Sequence, residues 1–164
     1  FEGGDSNQHS IRNGLWGLRD AGCAEDDIIL VHDGVRPLVA ERIITENIEK
    51  CRKYGYAITG MICQEAIMQK VDDCVKNIDI PRERLVRTQT PHTYPLSTLL
   101  KAHAEADAKG IDGTVASCTL MAELGVDNQH LVMGSEKNGL KLTQTEDVEL
   151  FKALKHTTKD EWLK

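Results

Sequence analysis

No run of this 164-residue chain approaches eighteen consecutive apolar residues, so no segment is built to cross a bilayer as a helix. A charged stretch followed by an apolar one, the pattern of an export signal, is also missing. Basic runs are absent and the formal net charge is −6, which argues against nucleic-acid binding, since phosphate neutralisation needs clustered Lys and Arg. Cysteines are few: Cys23, Cys51, Cys63, Cys74 and Cys118, odd in number, scattered and without a Cys-x-x-Cys pair. They exclude a disulfide framework or a zinc ribbon and suit reduced, mostly buried thiols in the cytoplasm. His92 and His103 do not stand at metal-ligand spacing. No internal repeat or low-complexity tract interrupts the chain, whose length suits one domain over residues 1–164.

What is present centres on residues 28–37, Ile-Ile-Leu-Val-His-Asp-Gly-Val-Arg-Pro. The four apolar residues read as a strand covered on both faces inside a parallel sheet. Gly34 then permits a turn, and Pro37 ends the strand. Asp33 and Arg36 are thereby delivered together at the carboxyl end of a central strand, where open α/β sheets bind ligands. Asp33 suits a divalent cation and Arg36 a phosphate. The competing reading is an Asp–Arg pair that only shapes a turn.

Around this stretch, helical and strand signals alternate. Gly3-Gly4-Asp5-Ser6 leads into a helix capped by Ser6 or Ser10, with Ile11, Leu15 and Leu18 on one face and Gly22 at its end. Ile43, Ile44, Asn47, Ile48 and Cys51 stripe a second helix, and residues 56–63 read as a strand. Residues 67–75 read as a hairpin on an acidic turn, too poor in apolar residues to stand alone. A helix starting near Pro95 carries Leu96, Leu99, Leu100 and His103, the last as a half-buried core residue. A further helix runs from Thr114 to Leu124, capped by Thr114 or Ser117. Residues 129–133 and 140–142 make short strands, and Thr145 caps a closing helix with Glu146 and Asp147 in its first turn. The tail, residues 159–164, is charged with one aromatic anchor, Trp162. The expected architecture is an α/β three-layer domain with a mostly parallel twisted sheet and a projecting β-arm.

Val31-His32-Asp33-Gly34-Val35-Arg36-Pro37 resembles the signature of the cytidylyltransferases acting on methylerythritol phosphate and, in a sister branch, ribitol phosphate. Three further blocks follow in family order: Gly3-Gly4-Asp5 with Ser10, then Arg87-Thr88-Gln89-Thr90-Pro91, then Asn138 to Asp147 with Leu140-Lys141-Leu142-Thr143. The resemblance implies a Rossmann-like nucleotidyltransferase that moves CMP from CTP to a polyol phosphate and releases pyrophosphate. It implies Asp33 as ligand of Mg2+ or another divalent cation, and Asp33, Arg36 and Lys141 as catalytic residues. By the same resemblance Gly4, Asp5 and Ser10 bind the nucleotide, and Thr90 and Arg82 the substrate phosphate. Residues 64–88 become a dimerisation arm exchanged in a homodimer, from which Arg82 reaches the neighbouring subunit. His92 stands where the family usually has Gln, so it lines the same pocket without doing chemistry.

The family begins with a Gly-rich phosphate-binding loop, whereas this chain opens at Phe1. It is therefore expected to be amino-terminally truncated and inactive by itself. Ala66-Ile67 and Val115-Ala116-Ser117 depart from the methylerythritol pattern, so ribitol 5-phosphate is a rival acceptor. Two other readings stay open: a non-catalytic dimeric nucleotide-binding relative, since Asn7 replaces a family Arg, and transfer of another base.

Overall fold

The computed structural model describes residues 1–156; the tail with Trp162 lies outside the described residues. Ser6 caps α1 (Asn7–Asp20) by accepting the His9 N–H at 3.1 Å, and Gly22, at φ +90°, turns the chain away after it. Then come β1 (Ile28–Val31), α2 (Glu41–Tyr54), β2 (Ala57–Ile62) and a hairpin of β3 (Met68–Val71) and β4 (Cys74–Asn77). A 3₁₀ turn at Arg82–Arg84 leads to β5 (Val86–Pro95), α3 (Leu96–Lys109) and α4 (Ser117–Glu123). β6 (His130–Met133), α5 (Glu136–Gly139) and α6 (Thr145–His156) complete the described chain.

The main sheet has the order β1-β5-β2-β6. β5 is antiparallel to both β1 and β2, while β2 and β6 are parallel. Three strands therefore point one way and the longest points back between them, so the sheet is mixed rather than mostly parallel. β1 is corrected too: it lies at one end of the described sheet, not at its centre. It is nevertheless covered on both faces. Ile29 and Val31 pack with Leu15, Tyr94, Leu99 and Met121, while Ile28 packs with Ile43, Ala57 and Val132. Because alternate strand residues face opposite ways, these two cores lie on opposite sides of the sheet, with α1, α3 and α4 over one and α2 over the other. The three-layer α/β architecture stands.

Within the core beneath α2 sits a satisfied polar cluster. Asn47 donates to Thr59 Oγ1 at 2.9 Å, Thr59 donates to the Pro91 carbonyl at 2.8 Å, and Thr93 donates to Asn47 Oδ1 at 3.3 Å. This ties α2, β2 and β5 together at the place where β5 breaks register. Pairing jumps from Ile58↔His92 to Thr59↔Gln89, leaving Thr90 and Pro91, joined by a cis peptide bond, out of the ladder. That bulge lets a strand contain a proline that has no N–H to donate.

Smaller corrections follow the same logic. Residues 140–142 form no strand; they follow the short α5, which the sequence reading missed. Ala116 is the N-cap of α4, and Thr119 Oγ1 accepts its N–H at 3.1 Å, so neither Thr114 nor Ser117 caps it. Asp147, not Thr145, holds the start of α6, accepting the Thr143 and Gln144 N–H groups at 2.8 Å. Gly34 has no positive φ and open space where a Cβ would stand, so its turn does not require glycine. His103 is fully buried rather than half-buried.

Candidate active site

Immediately after β1 the chain turns, with the Arg36 N–H donating to the Asp33 carbonyl at 2.9 Å. The turn folds the Arg36 side chain back onto its own partner: Nε donates to Asp33 Oδ2 at 3.0 Å. Lys141 Nζ reaches the same oxygen at 3.3 Å from the far side of the cleft. Arg36 Nη1 also donates to the Gly139 carbonyl, which pins the guanidinium between two chain segments about a hundred residues apart in sequence. Asp33 and Arg36 thus meet at the end of β1, and Lys141, named by resemblance, joins them. Burial pushes the Asp33 carboxyl up, but the Arg36 hydrogen bond and the Lys141 charge together outweigh it and hold the acid below its usual range. It is ionised at neutral pH, and two cations face one carboxylate, leaving a positive surplus for a phosphate.

His32 and Thr90 fix the backbone of this turn. His32 Nε2 donates to the Arg36 carbonyl at 2.9 Å. In a neutral ring Nδ1 is then the acceptor, and Thr90 Oγ1, 3.0 Å away, donates to it. Thr90 Oγ1 in turn accepts the Asp33 N–H at 3.1 Å. Thr90 lines the cleft as expected, yet its hydroxyl proton is committed to His32. It orients Asp33 and is left with only a lone pair for a ligand.

The segment that carries Gly139 and Lys141 is held by Gln89 and by Asn138, the latter behind the cleft and with an aim the sequence left open. Gln89 donates to the Ser135 carbonyl at 2.9 Å and accepts from Asn138 Nδ2 at 2.9 Å; Asn138 Nδ2 also donates to the Thr90 carbonyl at 3.2 Å. Gly134 and Gly139 make room for the Gln89 amide, whose atoms occupy the space of a Cβ on either. This packing holds α5, and therefore Gly139 and Lys141, against β5. Gln89 lay inside the Thr88–Pro91 block, but nothing in its spacing announced the role.

Asp33, Arg36, Thr90 and Lys141 line a cleft of about 200 Å³ with Asn7, His92, Val115 and Ser117. Past Arg36, Thr88, Gln89 and Lys141 it continues into a groove of about 480 Å³ that includes Arg87 and Leu140. Gly4, Asp5 and Ser10 do not line the cleft, although Asn7 and Ile11 from the same stretch do. Ser10 Oγ accepts the Gly4 N–H at 3.0 Å, and Asn7, one turn on, donates to the Val115 carbonyl at the rim. Gly4 is structurally required, because a Cβ there would run into the His9 backbone and side chain. Arg82 is elsewhere: exposed on its 3₁₀ turn, it bonds the Gln64 carbonyl and Glu83 at 3.3 Å each. Arg87 is a rim charge, paired with Glu136 through both carboxylate oxygens at 2.7 Å.

No group of three or more His, Cys, Asp or Glu gathers among the described residues, so a cage of protein ligands for a metal is not present there. The donor set does fit magnesium held through one carboxylate, with phosphate and water completing the sphere. Arg36 and Lys141 both contact Asp33 through Oδ2, which leaves Oδ1 as the oxygen for that bond.

A three-layer α/β domain with an Asp–Arg–Lys cluster beside a strand end defines the chain as nucleotidyltransferase-like. The family model described as "IspD: 2-C-methyl-D-erythritol 4-phosphate cytidylyltransferase" matches residues 1–156, and the chain belongs to that family. It is similar to the ribitol-5-phosphate cytidylyltransferase of Lacticaseibacillus paracasei, at 42% identity over 156 residues, covering 93% of this chain and 65% of that protein. The 2-C-methyl-D-erythritol 4-phosphate cytidylyltransferase of Acidobacterium capsulatum is 36% identical over 151 residues, covering 90% of this chain and 61% of that one. Among solved structures, the 2-C-methyl-D-erythritol 4-phosphate cytidylyltransferase from Thermus thermophilus superposes with a TM-score of 0.79 at 27% identity, covering 96% of this chain and 72% of that one. The chain spans slightly less than two thirds of the length of these curated relatives.

Proposed function

We propose that the protein transfers CMP from CTP to a polyol phosphate and releases pyrophosphate. The carrying observation is the convergence of Arg36 and Lys141 on one oxygen of Asp33, in a chain of this family. The nucleophile is an ionised phosphate oxygen, so the protein has no proton to remove and must hold two polyanions in line. Arg36, fixed by Gly139, supplies a rigid two-sided donor, and the more exposed Lys141 supplies a point charge that can follow the phosphate. Asp33 Oδ1 would hold a magnesium ion, whose charge supports the phosphates when it is bound. Gly4, Asp5 and Ser10 are assigned to the nucleotide base.

We further infer a homodimer in which residues 64–88 are the exchanged arm and Arg82 serves the neighbouring site. Support comes from the hairpin itself: every residue of β3 and β4 is exposed, including Met68, Val71 and Val75. Such a ribbon has no core of its own. A cytoplasmic setting is proposed from the five free cysteines. Among the described residues no helix is long and apolar enough to cross a membrane.

The acceptor is 2-C-methyl-D-erythritol 4-phosphate or, in a second reading favoured by the 42% identical relative, ribitol 5-phosphate. One acceptor panel tests both. Full-length protein is incubated with CTP, magnesium and each acceptor while pyrophosphate is followed, with UTP and ATP as controls. Pyrophosphate that depends on both CTP and one polyol phosphate is the expected result. CTP binding with no turnover on any acceptor would favour the non-catalytic relative.

A further inference from the structure

Five buried side-chain polar atoms have no partner among the described residues: His92 Nε2, both ring nitrogens of His103, Ser117 Oγ and Asn138 Oδ1. A buried polar atom left unpaired costs about 1–3 kcal/mol, so each needs an explanation. The His103 ring packs edge-on to Trp16 beneath α3, and Asn138 belongs to the Gln89 network. Neither lines the cleft. His92 and Ser117 both do, and both are 2% exposed.

We propose that His92 and Ser117 read the hydroxyl chain of the acceptor, as specificity-determining residues in the cleft whose other end holds the phosphate on Arg36 and Lys141. The proposal rests on the cytidylyltransferase reading and extends it to the recognition of the alcohol. His92 is hydrogen-bonded to the Gln89 backbone. Since Nε2 is the nitrogen without a partner, Nδ1 makes that bond, donating to the carbonyl, and Nε2 of the neutral ring is a pure acceptor. Burial holds the ring neutral, its pKa lowered to about 4. Ser117 offers a rotatable hydroxyl that both donates and accepts. An acceptor beside a donor–acceptor matches two hydroxyls of a polyol, the first donating to Nε2 and the second exchanging hydrogen bonds with Oγ.

The cleft itself, about 200 Å³ before it continues into the wider groove, has room for one small phosphorylated alcohol beside Arg36 and Lys141. A site that hydrogen-bonds hydroxyls also rejects analogues lacking them, because its own buried groups then stay unpaired.

The test compares His92→Gln and Ser117→Ala with the unaltered full-length protein. Calorimetry measures binding of ribitol 5-phosphate, 2-C-methyl-D-erythritol 4-phosphate and propyl phosphate, which has the phosphate but no hydroxyls, and steady-state kinetics follows CMP transfer. Each substitution is expected to weaken binding of the preferred polyol phosphate about tenfold and to leave propyl phosphate and the KM for CTP unchanged. Equal losses for polyol and propyl phosphate, or losses confined to CTP, would overturn the proposal. So would unchanged polyol affinity in both variants, or an unaltered protein that binds no polyol phosphate. Polyol binding without CMP transfer would instead defeat the cytidylyltransferase reading, while the calorimetric comparison still decides the roles of His92 and Ser117. Should His92→Gln fail to fold, Ser117→Ala decides alone.

Discussion

The Gln89 amide fills the space in which Gly139 would carry a side chain: a Cβ there would lie 2.5 Å from Nε2. Gly139→Ala should therefore destabilise the protein by about 1–3 kcal/mol, the usual cost of overpacking. Transfer activity should fall as well, since Gly139 anchors Arg36 and leads into Lys141. Adding Gln89→Ala removes the collision and should recover part of the stability, so the pair is non-additive. Thermal denaturation of the four proteins measures this, and additive losses would disprove the packing relationship.

Asp33→Asn keeps the shape of the side chain and removes its charge. CMP transfer should drop by at least about 10²-fold, the scale of losing one aimed electrostatic group. The fold should survive, because Asp33 is partly open to water and its ion pairs are screened. Circular dichroism with pyrophosphate release separates the two effects. A variant that unfolds instead would make Asp33 a structural residue.

Acid should weaken the fold in a defined window. Burial lowers both His92 and His103 from 6.5 to about 4. Between those values the unfolded chain binds protons that the native one refuses, so stability falls as pH drops from about 6.5 to 4. Each histidine contributes up to ~3 kcal/mol to that loss. Asp33 acts in a separate window, since its lowered pKa stabilises the fold above its ordinary 3.8 and is lost only below that. Urea denaturation at pH 7, 5.5 and 4.5 should show the decline, and His103→Leu should flatten about half of it. Equal stability at all three values would contradict the burial of neutral imidazoles.

The proposed exchange of the arm makes a prediction about mixtures. Asp33→Asn and Arg82→Ala chains should each be defective, the second mainly in polyol phosphate binding with CTP affinity little changed. Mixed together they should regain some activity, because one site of the heterodimer receives both residues intact. Light scattering should report a dimer at micromolar concentration. Heterodimers that form and stay as inactive as their parents would return Arg82 to the role of a solvated charge.

Much of this was legible from residue order. β1, α2, β2 and α3 announce themselves by apolar spacing, the hairpin by its acidic turn, and Asp33 with Arg36 by the abrupt end of an apolar run. β5 was hidden because Pro91 and Pro95 lie inside it, and proline normally argues against a strand; only a bulge opposite Ile58 and Thr59 makes it tolerable. Missing β5 is also why β1 looked central and parallel. The Gln89–Asn138 pair joins positions 49 residues apart by a side-chain bond that no periodicity encodes. Lys141 was found by resemblance, whereas its contact with Asp33 depends on α5, four residues too short to leave a pattern.

The placement of β5 between β1 and β2 separates the order of synthesis from the order of assembly. β1 and β2 leave the ribosome before β5, yet they do not pair with each other, and the strand that joins them comes only after the hairpin. Until residue 95 has been made, the edge that each of them turns toward β5 lacks that neighbour, in a nascent chain whose decisive contacts are long-range. The same delay governs the site: Asp33 exists early, but Thr90, Gly139 and Lys141, which orient and charge it, are among the later residues to arrive.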